Sequence, residues 1–372
     1  MNSVRRAIFM LSVLLLSLTL PNAVAWRADG WLIQEVVGGE RLALGDEFGC
    51  HGMPGKYVED DIAVIEECKD YLTSQINASK WGTEPLSFAI QTESIDALTY
   101  NTMETAGFRI FGDHGEANLD GRLWTVQRNA GSLEQNVASK TMIQEAINQD
   151  GYASVYWEAR IADLNVRRDR DVVSWIDSQD YWFTTWGEWY SSNHLASEID
   201  RTSESVTVKG STGSTGGWDR VPGNTLITIT GGEFTSVERI DGPIDQLTLD
   251  DNHLKVGYRI LNGTGVTLTI PSEALVEITW EGIEAEIQIT QGTFNDFPPF
   301  VAVGHHTTDL FEWSSPFQDS EIRFTWLVEP QPDVEPSWIL PILAILVVLA
   351  VPIAVRSTLA HDQSMYPYPE EE

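Results

Sequence analysis

Apolar and polar positions follow two different periods along this chain. Up to about residue 200, short apolar runs are separated by stretches whose apolar residues recur three and four apart. Residues 41–46 (RLALGD), 86–90 (LSFAI), 106–114 (AGFRIFGDH) and 151–157 (GYASVYW) predict buried strands, the third entered from a helix end. Ile62, Ile65, Cys68, Tyr71 and Leu72 predict a helix over 60–75, and Ile95, Leu98, Met103 and Ala106 predict one over 94–106. A third helix is expected over 132–147, opened by Ser132 with Gln135 three residues on in a capping-box arrangement, and a short fourth over 166–178. Residues 181–190 (YWFTTWGEWY) read as a terminal strand. Strands alternating with helices predict a parallel α/β unit over 26–202, with polar strand-end residues gathered on one rim.

From residue 203 the period shortens to two. Runs at 206–209, 225–230, 236–240, 246–250, 253–260, 265–270, 274–280, 284–290 and 321–328 are short, β-branched and separated by Gly, Asn, Asp and Pro. They predict an all-β sandwich over 203–328. Within it, residues 210–217 (GSTGSTGG) read as a flexible loop, and 329–337 (EPQPDVEPS) as a Pro-rich spacer beyond it.

The two ends carry a different signal. Residues 1–25 combine Arg5 and Arg6, an apolar run and Ala23-Val24-Ala25, the pattern of a cleavable secretory signal. Residues 338–355 are almost wholly apolar and uncharged, which predicts one transmembrane helix at the short limit of length. Arg356 after it agrees with an exterior ectodomain and a cytoplasmic tail over 356–372. The expected product is a single-pass cell-membrane protein of 372 residues.

Charge narrows the partners. Fifty-five acidic against 23 basic residues give a formal net charge of −32. A surface of that sign repels nucleic acid and anionic headgroups, so no nucleic-acid partner is expected and membrane contact is assigned to the one helix. Scattered carboxylates of this kind also keep a protein soluble in salty water. Cys50 and Cys68 are the two cysteines, and in an exported chain they predict a disulfide contributing about 3 kcal/mol.

The chemistry-bearing residues form an ordered ladder. Asp46-Glu47 follows the first run, Asp113-His114 ends the third, and Arg128 lies in QRNAGS ahead of the strand GYASVYW. In this order the ladder resembles the NodB-homology, polysaccharide deacetylase family, over roughly residues 40 to 190. The resemblance implies a distorted (β/α) barrel. It implies Asp46 as catalytic base, Glu47 and His114 as ligands of a zinc-like divalent metal, and Arg128 as the residue orienting the base. Asn118 stands where the family has its second metal histidine and Ala130 where it has a proline, with Asp113 beside His114 as a further ligand candidate. The implied reaction is removal of acetyl groups from a glycan or cell-envelope polysaccharide, the metal polarising the carbonyl and acidifying water.

Two rival readings stand beside it. In one, the barrel is catalytically inactive and serves as a cell-surface glycan-binding or adhesion module. In the other, Asp46 and Glu188 form the carboxylate pair of a glycosidase, which requires them about 5–9.5 Å apart. Among 14 tryptophans, Trp182, Trp186 and Trp189 cluster in one segment and are the candidates for stacking on sugar faces, although even spacing also suits a packed strand face. Asn77-Ala78-Ser79 and Asn262-Gly263-Thr264 are glycosylation sequons, at Asn77 and Asn262.

Overall fold

The computed structural model describes residues 38–53, 56, 58, 60–90, 95–113, 123–133, 137–158, 170–211, 216–305, 320–328, 350–351 and 355–356. The signal segment, the spacer and nearly all of the 338–355 run lie outside them. Among the described residues no helix is long and apolar enough to cross a membrane. Barrel and antiparallel sheet, described next, belong to one compact unit, Arg27–Gln331.

An eight-stranded parallel sheet forms the first layer. Its strands are β1 (Glu47–Cys50), β2 (Ser87–Ile90), β3 (Ile110–Asp113), β4 (Trp124–Gln127), β5 (Ala153–Glu158), β6 (Trp182–Thr184), β13 (Pro299–His305) and β14 (Phe324–Val328). They run in the order β4-β3-β2-β1-β14-β13-β5, with β6 also paired to β13. The two edges of that path meet. Ser132 bridges Tyr156 in parallel, and Ala130 N donates to Ser154 O at 3.1 Å and Leu133 N to Tyr156 O at 2.9 Å. The continuation of β4 thus lies against β5, and the sheet is a nearly closed barrel.

Side-chain alternation splits the barrel residues between two cores. Phe48, Phe88, Phe111, Val155, Trp157, Ala302, Phe324 and Trp326 pack outward with helix residues Ile65, Cys68, Leu72, Met103 and Ile143. Ala89, Ile110, Val126, Tyr156, Val301, Val303 and Leu327 form the interior core, together with Trp182 and Trp186. Fully burying residues of this size contributes about 1.5–3 kcal/mol each. The surrounding helices are α1 (Gly38–Leu44), α2 (Val64–Gln75), α3 (Ala97–Ala106), α4 (Lys140–Asp150) and α5 (Arg170–Ile176), with α6 (Trp186–Ser191) following β6. Cys50 at the end of β1 and Cys68 on α2 are disulfide-bonded, as the cysteine count predicts.

Between β6 and β13 the chain leaves the barrel and builds a separate antiparallel sheet. Its strands are β7 (Ser197–Arg201), β8 (Ser205–Lys209), β9 (Gly223–Arg239), β10 (Gly257–Leu261), β11 (Gly265–Ile270) and β12 (Leu275–Gln291). Their order is β10-β11-β9-β12-β8-β7. β9 and β12 are 17 residues each and carry both halves of the sheet, with register shifts after Thr279 and Gly282. Ile227, Ile229, Val266 and Leu268 of one half share a core with Val206, Val208, Val276 and Ile278 of the other.

Several predicted elements differ from the observed ones. The all-β segment does not follow the barrel; it is inserted in it, because residues 321–328 supply β14 rather than a sandwich strand. The burial of β14 at all five positions is the mark of a parallel strand covered on both faces, not of alternation. The run at 41–46 is helix α1, ended at Gly45 with φ +108°, and the strand begins only at Glu47. The third helix starts at Lys140, capped by Ser139 accepting from Met142 N, while Ser132 sits in the barrel-closing bridge. In 181–190 a three-residue strand gives way to α6, because Thr185 caps it by accepting from Glu188 N.

Candidate functional site

Asp46 and Glu47 lie at the amino end of β1, not at its carboxyl end, and both are completely buried. Asp46 accepts from Arg41 Nε, from Trp326 Nε1 at 2.6 Å and from Phe324 N at 3.1 Å. Arg41 is itself buried, with its guanidinium 5.5 Å from the Phe324 ring centre. The carboxylate therefore ties α1 to β14 across nearly the whole sequence. Its oxygens serve the packing.

Glu47 occupies the barrel interior. It accepts from Ser87 Oγ, from Gly187 N at 2.6 Å and from Thr325 Oγ1 at 3.4 Å. Burial pushes its carboxyl above the ordinary value, against the pull of the hydrogen bonds from Ser87 and Gly187. A Cβ on residue 187 would meet the Trp218 ring at 2.4 Å and Glu47 Oε1 at 2.9 Å, so only glycine lets α6 approach. Glu188, next on α6, accepts from Trp81 Nε1 at 2.7 Å and Thr184 Oγ1 at 3.1 Å. Burial raises its pKa as well, opposed first by the Lys80 charge.

The other ladder residues belong to opposite strand ends. Asp113 is the last residue of β3, in register with Ile90 and Gln127, and Arg128 follows β4. The Arg128 guanidinium lies 3.2 Å from the Tyr156 ring centre, a cation–π contact. His114 and Asn118 fall outside the described residues. The structure thus brings Asp113 and Arg128 to the carboxyl ends of neighbouring strands and leaves Asp46 and Glu47 at an amino end.

Three further residues stand at the carboxyl ends. Glu158 ends β5 and His305 ends β13, and the two are register partners. His51 follows β1; its backbone N donates to Val328 O at 2.9 Å, and it is buried. With neighbouring strands about 4.8 Å apart, His305 and His51 flank β14 at roughly 10 Å across the sheet. Each follows an apolar run, FGC-His51, SVYW-Glu158 and FVAVG-His305, which is the signal that marks them. Among the described residues no group of three His, Cys, Asp or Glu side chains could hold a metal ion.

The tryptophan segment divides. Trp182 and Trp186 are 1% exposed and belong to the interior core, and the Trp186 ring lies where a Cβ on Gly112 would collide at 2.2 Å. They are not available to stack on a sugar. Trp189 is half-buried, with its ring centre 4.4 Å from that of Trp124 and 5.1 Å from that of Tyr152. Asn77 and Asn262 are both exposed, the latter at φ 50° in the β10–β11 turn.

An open cavity of about 420 Å³ lies beside the amino end of β14, lined by Asp250, Asp251, Asn252, His253, Lys255 and Glu321. Its polar groups largely satisfy one another. Lys255 pairs with Asp251, and His253 Nε2 shares a hydrogen bond of 2.7 Å with Glu321 O. Burial, with a smaller contribution from the Arg323 charge, pushes the His253 pKa down to about 4.

No family model matches this chain. No curated protein matches it. Among solved structures, the crystal structure of a protein from Lactobacillus plantarum aligns with 66% of this chain and 97% of its own at 11% identity and a TM-score of 0.15, too low to carry an argument.

Proposed function

We propose that the protein is a cell-surface hydrolase acting on a glycan, with its reaction centre on the carboxyl ends of the barrel strands. The observation that carries this is the register pairing of Glu158 with His305, with His51 beyond the end of β1 two strands away. Ligand sites of parallel barrels are built at that end, from residues contributed by several strands. Histidine and glutamate are residue types that move protons in hydrolysis, and they stand here at adjacent strand ends.

Arg128, held against Tyr156, is left out of this centre, because the next residue, Asn129, bonds to Tyr152 and Ser154 at the start of β5. Asp46 and Glu47 hold the barrel together instead of taking part. The deacetylase-type reaction, removal of acetyl from a glycan, is the form of hydrolysis that the sequence resemblance favours. Display outside the cell is supported by the bonded Cys50–Cys68 pair, which suits an oxidising compartment, and by the secretory and apolar terminal segments.

Acetate release from acetylated oligosaccharides tests this reading. The full-length protein should release acetate, and His305→Ala and Glu158→Gln should each lower the rate by about 10²-fold or more. Equal release by both variants and the wild type would refute the assignment. The rival glycan-binding reading draws its support from one observation, the half-buried aromatic group around Trp189.

A further inference from the structure

We propose that Trp124, Tyr152, Trp189 and Tyr190 form a carbohydrate-binding platform at the amino ends of β4 and β5, separate from the carboxyl-end centre, and that its ligand is an uncharged glycan. Trp124 opens β4, Tyr152 precedes β5, and Trp189 and Tyr190 lie on α6. The Trp124 and Trp189 rings meet edge to face at 84°, Tyr152 leans on Trp189 at 53°, and Trp124 and Tyr190 are tilted by 37° with centres 5.9 Å apart. All four are half-buried, so each ring is fixed by packing and still offers surface.

Composition separates this patch from ordinary packing. The partly buried residues against the interior core are Trp81 and these four, all Trp or Tyr. The fringes of the other two cores are largely aliphatic, with Leu42, Ile62, Ile147, Val172 and Val173 on one and Ile244, Ile260 and Ile289 on the other. Rings of this kind present an apolar face beside a polar N–H or O–H, which matches a sugar whose axial C–H face adjoins its hydroxyls. Trp81 is held in place by donating to Glu188, the residue before Trp189.

The border of the patch supplies hydrogen-bonding groups. Gln127 and Asp150 are exposed; Asn129 holds Asp150 beside Tyr152, its Nδ2 donating to Asp150 Oδ2 at 2.9 Å and to Tyr152 O at 3.0 Å while its Oδ1 accepts from Ser154 N at 2.8 Å. Amide and carboxylate groups around aromatic rings suit hydroxyl and N-acetyl groups, whereas a net charge of −32 opposes an anionic polymer. An uncharged glycan meets both conditions.

Titration of the full-length protein, held in a detergent without a sugar headgroup, with chitohexaose, cellohexaose and mannohexaose tests the proposal by tryptophan fluorescence and calorimetry. At least one hexaose should shift the emission and bind. Trp124→Ala and Trp189→Ala should weaken that binding about tenfold, while Trp189→Phe, which keeps a stacking ring, should stay within a few-fold of wild type. Acetate release by the wild type from an acetylated monosaccharide, measured in parallel, reads the hydrolase separately, so that failure of the platform and failure of the hydrolase reading are told apart. No binding of any hexaose by the wild type, or affinity unchanged in Trp189→Ala, would overturn the proposal.

Discussion

Ionisable residues stand at both ends of the barrel strands, but in different numbers of strands. At the amino end of β1, Asp46 and Glu47 are sealed and every oxygen is engaged by named donors from α1, β2, α6 and β14. At the carboxyl ends, Asp113, Glu158 and His305 close three strands, and His51 and Arg128 follow two more. The same residue types therefore occur at both ends of the parallel strands, and at the amino end of β1 they are structural. Buried carboxylates joined to distant segments specify how the barrel closes, and strand-terminal ones are placed where a parallel barrel takes its ligands.

The comparison breaks most sharply at Arg41. Arg41→Ala would leave Asp46 buried without its cation, a change that costs about 3–5 kcal/mol. Urea unfolding should show a loss of that size, and a loss below about 1 kcal/mol would mean that the amino end is not a structural latch.

The disulfide ranks next. It fixes the residue before His51 to α2, so Cys50→Ser with Cys68→Ser should lower stability by about 2–4 kcal/mol. Thermal melting of the double variant against wild type checks this. An unchanged midpoint would show that the bond is not formed.

Glu47 sharpens the comparison through pH. Its folded-state pKa is raised by burial, so the stability linked to it is present below its ordinary 4.5 and is lost as pH rises through the raised value. Glu47→Gln keeps the shape and removes that titration. Relative to wild type, the variant should therefore gain in melting temperature between pH 4.5 and pH 7.5. A difference independent of pH would contradict the burial argument. His253 runs the other way: its pKa is depressed to about 4, so its contribution is present above its ordinary 6.5 and lost as pH falls toward 4.

Much of this architecture was legible from periodicity. The parallel α/β unit, the change to a two-residue period near residue 203 and the Cys50–Cys68 bond all follow from pattern and count. The errors share one physical origin, since a four- to eight-residue apolar run does not declare whether it is helix or strand, or which sheet it joins. RLAL became α1, and 321–328 returned to the barrel. Asp46-Glu47 read as the end of a strand and instead begin one, because the run before them folds as α1. The clues that were available were short: Thr185 with Glu188 three residues on announces α6, and the continuous run FVAVG before His305 announces a strand buried on both faces.

The central claim is that chemistry resides at the carboxyl ends and structure at the amino end. Acetate release from one acetylated oligosaccharide, measured side by side for wild type, His305→Ala and Glu47→Gln at matched folded fraction, tests it most directly. The account predicts release by wild type, near-wild-type release by Glu47→Gln, and a loss of about 10²-fold or more in His305→Ala. Loss of activity in Glu47→Gln with His305→Ala fully active would contradict it.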